Sequence, residues 1–310
     1  MKKKILVTGG AGFIGKHLCE KLLTNKNHVY CLDNLYSSSL SNISSFFSKK
    51  NFEFINHDIE KKIDLKIDEI FHLACPASPV NYKLDPIKTI KTNIIGSINV
   101  LELASKYNAK IFHSSTSEVY GNPTITPQSE DYFGNVNIIG PRSCYDEGKR
   151  CAETLFFDYH RSKKIKIKVA RIFKTYGPFM QKNDGRVISN FIVQALNNKN
   201  ITIYGDGKQT RSFCYIDDLI NGILKLMNTS KKTTGPINLG NPQEMKIIDI
   251  AKKIIKLTDS KSKIKFFPLT EDDPLQRKPD ITKAKKIIKF KPSININEGL
   301  TRTIKYFRNQ

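Results

Sequence analysis

The sequence predicts an α/β fold, a doubly wound parallel sheet followed by a smaller C-terminal domain. Three observations carry this expectation. Short apolar runs alternate with segments of helical spacing from residue 4 to residue 172. A glycine-rich turn joins the first run to the first helix. An aspartate closes the second run.

The elements follow in order. Lys4-Ile5-Leu6-Val7 is a short apolar run ending in glycines, the pattern of a strand buried on both faces. Phe13, Ile14, Leu18 and Leu22 are spaced as one face of a helix running to Leu23. His28 to Leu32, Phe52 to Ile55, Glu69 to Leu73, Lys110 to Ser114 and Ile167 to Ile172 read as five further strands. Residues 86–107 and 146–161 read as long helices. From about Pro178 the alternation weakens and Pro, Gly and Asp become more frequent. The expected division is therefore residues 1–177 and 178–310, with about 205–220 returning to the first unit. No internal repeat or low-complexity linker separates the two.

Composition narrows the function classes. The 51 Lys and Arg against 29 Asp and Glu give a net charge of +22. The basic residues are mostly lysines scattered from Lys2 to Lys305, and no basic stripe is interleaved with aromatics. A solvated lysine-rich surface is favoured over a nucleic-acid partner, though part of the charge would attract an anionic substrate. None of the six cysteines forms a C-x-x-C pair, and most lie in apolar segments, as expected of reduced thiols in a cytoplasmic protein. The chain enters a strand at once, without the features of a signal peptide. No apolar run approaches the ~18–20 residues of a membrane helix. No membrane association and no metal site are expected.

The first chemical motif is Thr8-Gly9-Gly10-Ala11-Gly12-Phe13-Ile14-Gly15, with the spacing Gly9-x-x-Gly12-x-x-Gly15. Glycines there permit a tight turn and let a pyrophosphate approach the N–H groups of a helix N-terminus. A lone glycine motif is weak; strand, glycines, helix, strand and acid in succession make a Rossmann-type dinucleotide site. Asp33 would accept hydrogen bonds from the adenosine ribose and repel a 2′-phosphate. No basic residue follows it at Asn34 or Leu35, so NAD is favoured over NADP. Asp58, after the third run, would either approach the adenine or cap a helix.

The second motif is Tyr145-Asp146-Glu147-Gly148-Lys149. Tyr145 and Lys149 share one helix face. A phenol titrates near ~10, too high for a base at neutrality. A nearby ammonium and a cationic nicotinamide would stabilise the phenolate. The spacing alone is often incidental. It gains weight from Ser114-Ser115-Thr116 at the end of the fifth run, where a hydroxyl can bond the same substrate oxygen.

Together these residues resemble the extended short-chain dehydrogenase/reductase family. Within it, six segments are similar to UDP-glucuronic acid decarboxylases. They are His72 to Pro79, Lys88 to Asn93, Ser115 to Gly121, Gly140 to Arg150, Gly205 to Phe213 and Glu271 to Asp280. The Tyr145 segment and Gln276-Arg277-Lys278-Pro279 are the most specific, and more than a hundred residues separate them.

The resemblance implies bound NAD, UDP-glucuronate as substrate and a homodimer. It implies cofactor contacts from Gly9, Gly12, Phe13, Ile14, Asp33, Asn34, Asp58, Ile59, Leu73, Ala74, Thr92, Tyr145, Lys149 and Thr175. Pro79, Tyr82, Arg186, Tyr204, Arg211 and Arg277 would meet the substrate. The implied catalytic set is Thr116, Glu118, Tyr145, Lys149 and Arg277, with Arg277 near the sugar carboxylate. From the residues alone, Glu118 could be an exposed acid at a strand end and Arg277 a surface cation. Arg211 could pair with Asp217 or Asp218, Tyr204 could pack in its strand, and Arg186 could cap a helix C-terminus.

Position 117 separates relatives: 4,6-dehydratases usually carry Asp then Glu after the threonine, and here the pair is Ser117-Glu118. Two departures from the family pattern stand out. Lys174 replaces an asparagine expected at the substrate, and Phe179 replaces an arginine. A lysine can meet a phosphate but cannot accept a hydrogen bond.

Overall fold

The computed structural model describes residues 2–183, 185–269 and 276–310. The six expected strands are β1 (Lys4–Thr8), β2 (His28–Asp33), β3 (Phe52–Asn56), β4 (Glu69–His72), β5 (Lys110–Thr116) and β6 (Lys166–Ile172). Shorter strands follow: β7 (Thr175–Tyr176), β8 (Ile201–Tyr204), β9 (Thr210–Ser212), β10 (Cys214–Tyr215), β11 (Ile237–Leu239), β12 (Glu244–Lys246), β13 (Ile264–Phe267) and β14 (Gln276–Arg277). The helices are α1 (Phe13–Thr24), α2 (Pro79–Leu84), α3 (Pro86–Tyr107), α4 (Ser143–Lys163), α5 (Val187–Leu196), α6 (Ile216–Met227), α7 (Ile247–Thr258), α8 (Thr282–Ile288) and α9 (Ile296–Arg308).

Seven strands form one parallel sheet in the order β11-β6-β5-β4-β1-β2-β3. Both faces are covered, which is why its strands read as near-continuous apolar runs. Ile5 and Val7 of β1 point to the face carrying Leu18 and Leu22 of α1 and Leu219 and Ile223 of α6. Leu6 points to the other, with Val100 and Leu101 of α3 and Phe156 of α4. The start of α3 is fixed locally. The Asp85 carboxylate accepts from the Lys88 N–H at 2.9 Å, and Pro86 occupies the first turn, where its missing N–H costs nothing. Asn108 ends the helix in the left-handed region.

Strand order reverses between β1 and β4. Loops leaving these two strands diverge to opposite sides and leave a crevice at their carboxyl ends. The chain beyond residue 178 closes over that crevice and also rejoins the sheet. β10 pairs with β7, α6 packs against α1, and β11 becomes the seventh strand beside β6. The return to the sheet thus runs to Leu239, well past residue 220. Its signal was weak because β11 is only three residues long.

Of the six cysteines, Cys19, Cys31, Cys144 and Cys214 are buried, Cys75 is half-buried and Cys151 is exposed; none is bonded to another. Among the described residues no helix is long and apolar enough to cross a membrane, and no cluster of three His, Cys, Asp or Glu could hold a metal ion.

Candidate active site

A cavity of about 950 Å³ opens at the crevice. Its floor is the glycine turn. Gly9 has a left-handed backbone (φ +68°), and a Cβ there would meet the Ala74 backbone at 2.9 Å. A Cβ on Gly15 would lie 2.2 Å from the Gly9 carbonyl oxygen. Only glycine lets the first turn of α1 sit on the loop and the loop sit on the β4 end. The loop leaves space over Gly12, where a Cβ would meet only the Gly9 carbonyl oxygen, and α1 begins at Phe13 with no side-chain cap on its N–H groups. These features fit a dinucleotide pyrophosphate at a helix N-terminus.

Asp33, at the end of β2, lines this half of the cavity. Its carboxylate also accepts from the Ala11 N–H at 3.0 Å, the Leu35 N–H at 2.9 Å and the Ser38 hydroxyl at 2.8 Å. Phe13, Ile14, Asn34, Ile59, Leu73, Ala74, Thr92 and Thr175 line the same cavity. Asp58 does not. It faces Lys88 at 2.5 Å and accepts from the Glu60 N–H at 3.0 Å and the Asn34 amide at 3.2 Å. It heads a turn rather than a helix, so it is not a helix cap. Its partner Asn34 lines the cavity, and so does Lys88, which pairs with it.

Thr116, Tyr145 and Lys149 come together on the opposite wall. Thr116 ends β5, and Tyr145 and Lys149 lie one turn apart on α4. The Thr116 side chain is near enough to the Tyr145 phenol to pull its titration down. The Lys149 ammonium donates to the Ser114 carbonyl at 2.9 Å, fixing α4 to β5. The Tyr145 ring stacks on Tyr82, 5.0 Å between centroids and 10° from parallel. Burial pushes the Tyr145 phenol up, with Cys75 adding to it, and Thr116 pulls the other way. Burial also lowers the Lys149 ammonium, against Cys75 and Glu153. Desolvation therefore dominates the phenol in this arrangement.

Glu118 is no exposed strand-end acid; it is 6% exposed, in a short 3-10 turn after β5. Arg142 contacts its Oε2 at 2.6 Å, Arg277 the same oxygen at 3.2 Å, and Lys174 its Oε1 at 3.1 Å. Burial alone would raise this carboxyl, but Arg277, Lys174 and Arg142 hold it well below the usual carboxylate range. Asp146 lies 3.8 Å from Arg142. Burial and the neighbouring Glu118 raise its carboxyl to about 7, against the pull of Arg142, Arg277 and Lys174.

Arg277 corrects the expectation in two ways. It is 1% exposed, so it is not a surface cation. Nor does it line the cavity: it donates to the Ser117 carbonyl, to the Gly121 carbonyl at 2.7 Å and to Glu118. Topology explains this, since β14 lies beside β9 with Arg277 opposite Arg211, directly behind the Glu118 turn. The first part of the family segment that contains it, 271–275, lies outside the described residues.

Pro79, Tyr82, Arg186, Tyr204 and Arg211 all line the cavity. Arg186 stands at the N-terminus of α5, not at a helix C-terminus. Asp217 faces Arg302 at 3.3 Å, and Asp218 accepts from Ser293 and Ile294. The Tyr204 ring is half exposed, 6.0 Å from Phe267. Phe179, where relatives have arginine, sits among Lys16, His17 and Tyr306: the Lys16 ammonium is 3.8 Å from its ring centre and the Tyr306 ring 4.7 Å. It joins α1 to α9.

Sequence reasoning did not single out Arg142 or Asp146. The signal was available: Arg142 and Asp146 are four apart at the start of the tyrosine helix, so both face the end of β5.

Comparison with known proteins agrees with this geometry. The GDP-mannose 4,6 dehydratase family matches residues 6–303. UDP-glucuronic acid decarboxylase 4 of Arabidopsis thaliana is 50% identical over all of this chain and 70% of its own length. UDP-glucuronic acid decarboxylase 1 of Xenopus tropicalis is also 50% identical, over all of this chain and 73% of its own. Among solved structures, UDP-glucuronic acid 4-epimerase from Bacillus cereus, in complex with UDP-glucuronic acid and NAD, superposes with a TM-score of 0.90. It is 33% identical over 99% of each chain. The chain belongs to the UDP-glucuronic acid decarboxylase family of extended short-chain dehydrogenases/reductases.

Proposed function

We propose that this chain converts UDP-glucuronate to UDP-xylose and carbon dioxide through a 4-keto sugar, using NAD without net redox change. The observation that carries the reading is the union of two groups in one cavity: the Thr116–Tyr145–Lys149 set and a buried, triply paired Glu118 beside it. The decarboxylase relatives support it at 50% identity, against 33% for the epimerase that binds the same sugar nucleotide.

The chemistry follows from the substrate. Direct loss of the carboxyl group would leave an unstabilised carbanion at C5. Oxidation of the C4 hydroxyl gives a β-keto acid, from which carbon dioxide leaves as an enolate forms. NAD, held by the glycine turn and Asp33, would accept the hydride from C4 and return it there once the enolate has taken up a proton from water at C5 and the C4 ketone is restored. Tyr145 takes the C4 hydroxyl proton and gives it back, and Thr116 orients the same oxygen. Lys149, fixed to Ser114, holds positive charge beside the phenol and reaches the nicotinamide ribose. Glu118, kept ionised by its three cations, positions the sugar ring or a water during oxidation and decarboxylation. Arg277 acts through Glu118, whose orientation it fixes. Asp33 selects NAD at the adenosine ribose.

Purified protein incubated with UDP-glucuronate and NAD releases carbon dioxide and forms UDP-xylose, with no NADH accumulating. Absence of carbon dioxide defeats the reading. The structural likeness to a UDP-glucuronic acid 4-epimerase keeps a second reading in view. Mass spectrometry separates them, because epimerisation conserves mass and dehydration loses one water. We further infer a homodimer built on α3 and α4, which lie side by side with Ile87 and Ile95 exposed, and a cytoplasmic location.

A further inference from the structure

We infer that the chain segment after β7 is a clasp that keeps the dinucleotide in its groove, and that the Gln181 amide is its catch. The inference rests on NAD as the cofactor and not on the identity of the sugar.

The segment crosses the mouth of the crevice. The chain leaves β6 at Ile172, forms β7 and next meets α1, where His17 Nε2 lies 2.9 Å from the Pro178 carbonyl oxygen. Phe179 is held there by the Lys16 ammonium and the His17 and Tyr306 rings. Two residues on, the Gln181 amide donates to the Ser37 carbonyl at 2.7 Å. Ser37 lies in the loop after β2, and β2 stands four strand spacings from β6, a span of about 19 Å. Further along, a Cβ on Gly185 would lie 2.9 Å from Val80 Cγ2, in α2, which follows β4. The segment thus touches both lips of the crevice, the β1–β2 side and the β4 side. Ser37, Val80, Met180, Gln181 and Gly185 line the same cavity as Asp33 and Gly9. A dinucleotide held by Asp33 and the glycine turn therefore enters and leaves past this contact.

Firm anchors flank a weak catch. Beside the acceptor, the Ser38 hydroxyl donates to Asp33 at 2.8 Å. Leu35 and Phe179 hold left-handed backbone, φ +60° and φ +67°, which non-glycine residues keep only where their surroundings fix it. The catch between them is one hydrogen bond from an exposed side chain, so it can open while both anchors stay in place. A redox-neutral cycle returns NAD to its starting state, so a cofactor that exchanges slowly does not limit turnover. Both partners of the catch belong to the protein, so it slows entry and exit alike. A direct contact with NAD would slow exit alone.

The test follows NADH by its fluorescence in stopped flow, association on mixing with the full chain and release by displacement with excess NAD. Gln181→Met keeps the length of the side chain and loses the donor. Both rates rise about fivefold in this variant, the worth of one hydrogen bond, while Kd moves less than about twofold. Gln181→Glu, which also lacks a donor, behaves in the same way, and it decides if Gln181→Met does not fold. Faster release with unchanged association puts Gln181 on the dinucleotide and overturns the inference. Unchanged rates overturn it too, and a lowered melting temperature beside them assigns the contact to the fold alone. Failure of the wild-type chain to bind NADH defeats the cofactor reading instead.

Discussion

The two ends of the cavity are built in opposite ways. At the nucleotide end, groups close in sequence do most of the work: the glycine turn, the α1 N-terminus and Asp33 all come from the first β-α-β unit. At the sugar end, a single carboxylate is gripped by residues 24, 56 and 159 positions away along the chain. The first arrangement rests on backbone geometry, which a few glycines specify. The second rests on buried charge, which only the completed fold can balance. Damage to the nucleotide end should thus be read mainly in cofactor binding, and damage to the sugar end in stability and substrate choice as well.

Substitutions can break or sharpen this contrast. The largest effect is expected where the two ends meet. Tyr145→Phe should lower turnover by about 10²–10⁴-fold, the usual worth of a positioned proton-transfer group. NAD affinity should change little, as read by fluorescence titration. Turnover above a tenth of wild type would remove Tyr145 as the base.

Next comes Glu118→Ala. It leaves Arg142 and Arg277 buried without their carboxylate, a cost of about 3–5 kcal/mol in urea unfolding. A loss below ~1 kcal/mol would show that solvent reaches the cluster and that the contrast is overstated.

Asp146 gives the cluster a pH signature. Its carboxyl is raised from 3.8 to about 7 in the folded chain, so ionising it costs the folded state more than the unfolded one. Its effect is to lower stability as pH rises from about 4 to about 7. Glu118 acts in the opposite sense and only in acid: its depressed carboxyl stabilises above the unfolded value near ~4.3 and loses that effect as pH falls. Asp146→Asn should flatten the melting temperature between pH 5 and 8 relative to wild type. Parallel curves for the two proteins would contradict the raised carboxyl.

The smallest change is expected at Phe179→Arg, which restores the residue common in relatives. It removes the ring over Lys16 and sets two cations together, at a cost of about 1 kcal/mol in thermal unfolding. A gain in stability would mean the Phe179 cluster adds nothing to the α1–α9 junction.

The same contrast explains what could be read from the sequence. The strands β1 to β6, the helix over 86–107 and the glycine turn were legible because each is set by local periodicity or by one backbone requirement. Thr116, Tyr145 and Lys149 were legible because strand end and helix face are local as well. The Arg277 pairing was not, since residues that share no periodicity meet only when β14 adds beside β9. Resemblance found Arg277, but its contact with Glu118 could not be read from the sequence. The Asp58 pairing was hidden for a similar reason: its partner, Lys88, lies 30 residues further on in α3. β11 was hidden by its length, its three residues giving too little pattern to distinguish a strand from a loop.

The carboxylate at the end of β2 has a consequence for protein engineering. Changing the cofactor preference of such an enzyme usually begins by replacing the acid that excludes the 2′-phosphate. In this chain the same Asp33 is also a strut, tying Ala11 of the pyrophosphate turn to Leu35 and Ser38 of the next loop. Removing it to admit NADP would slacken the turn that both dinucleotides require. A redesign would have to replace the strut and the selectivity filter together.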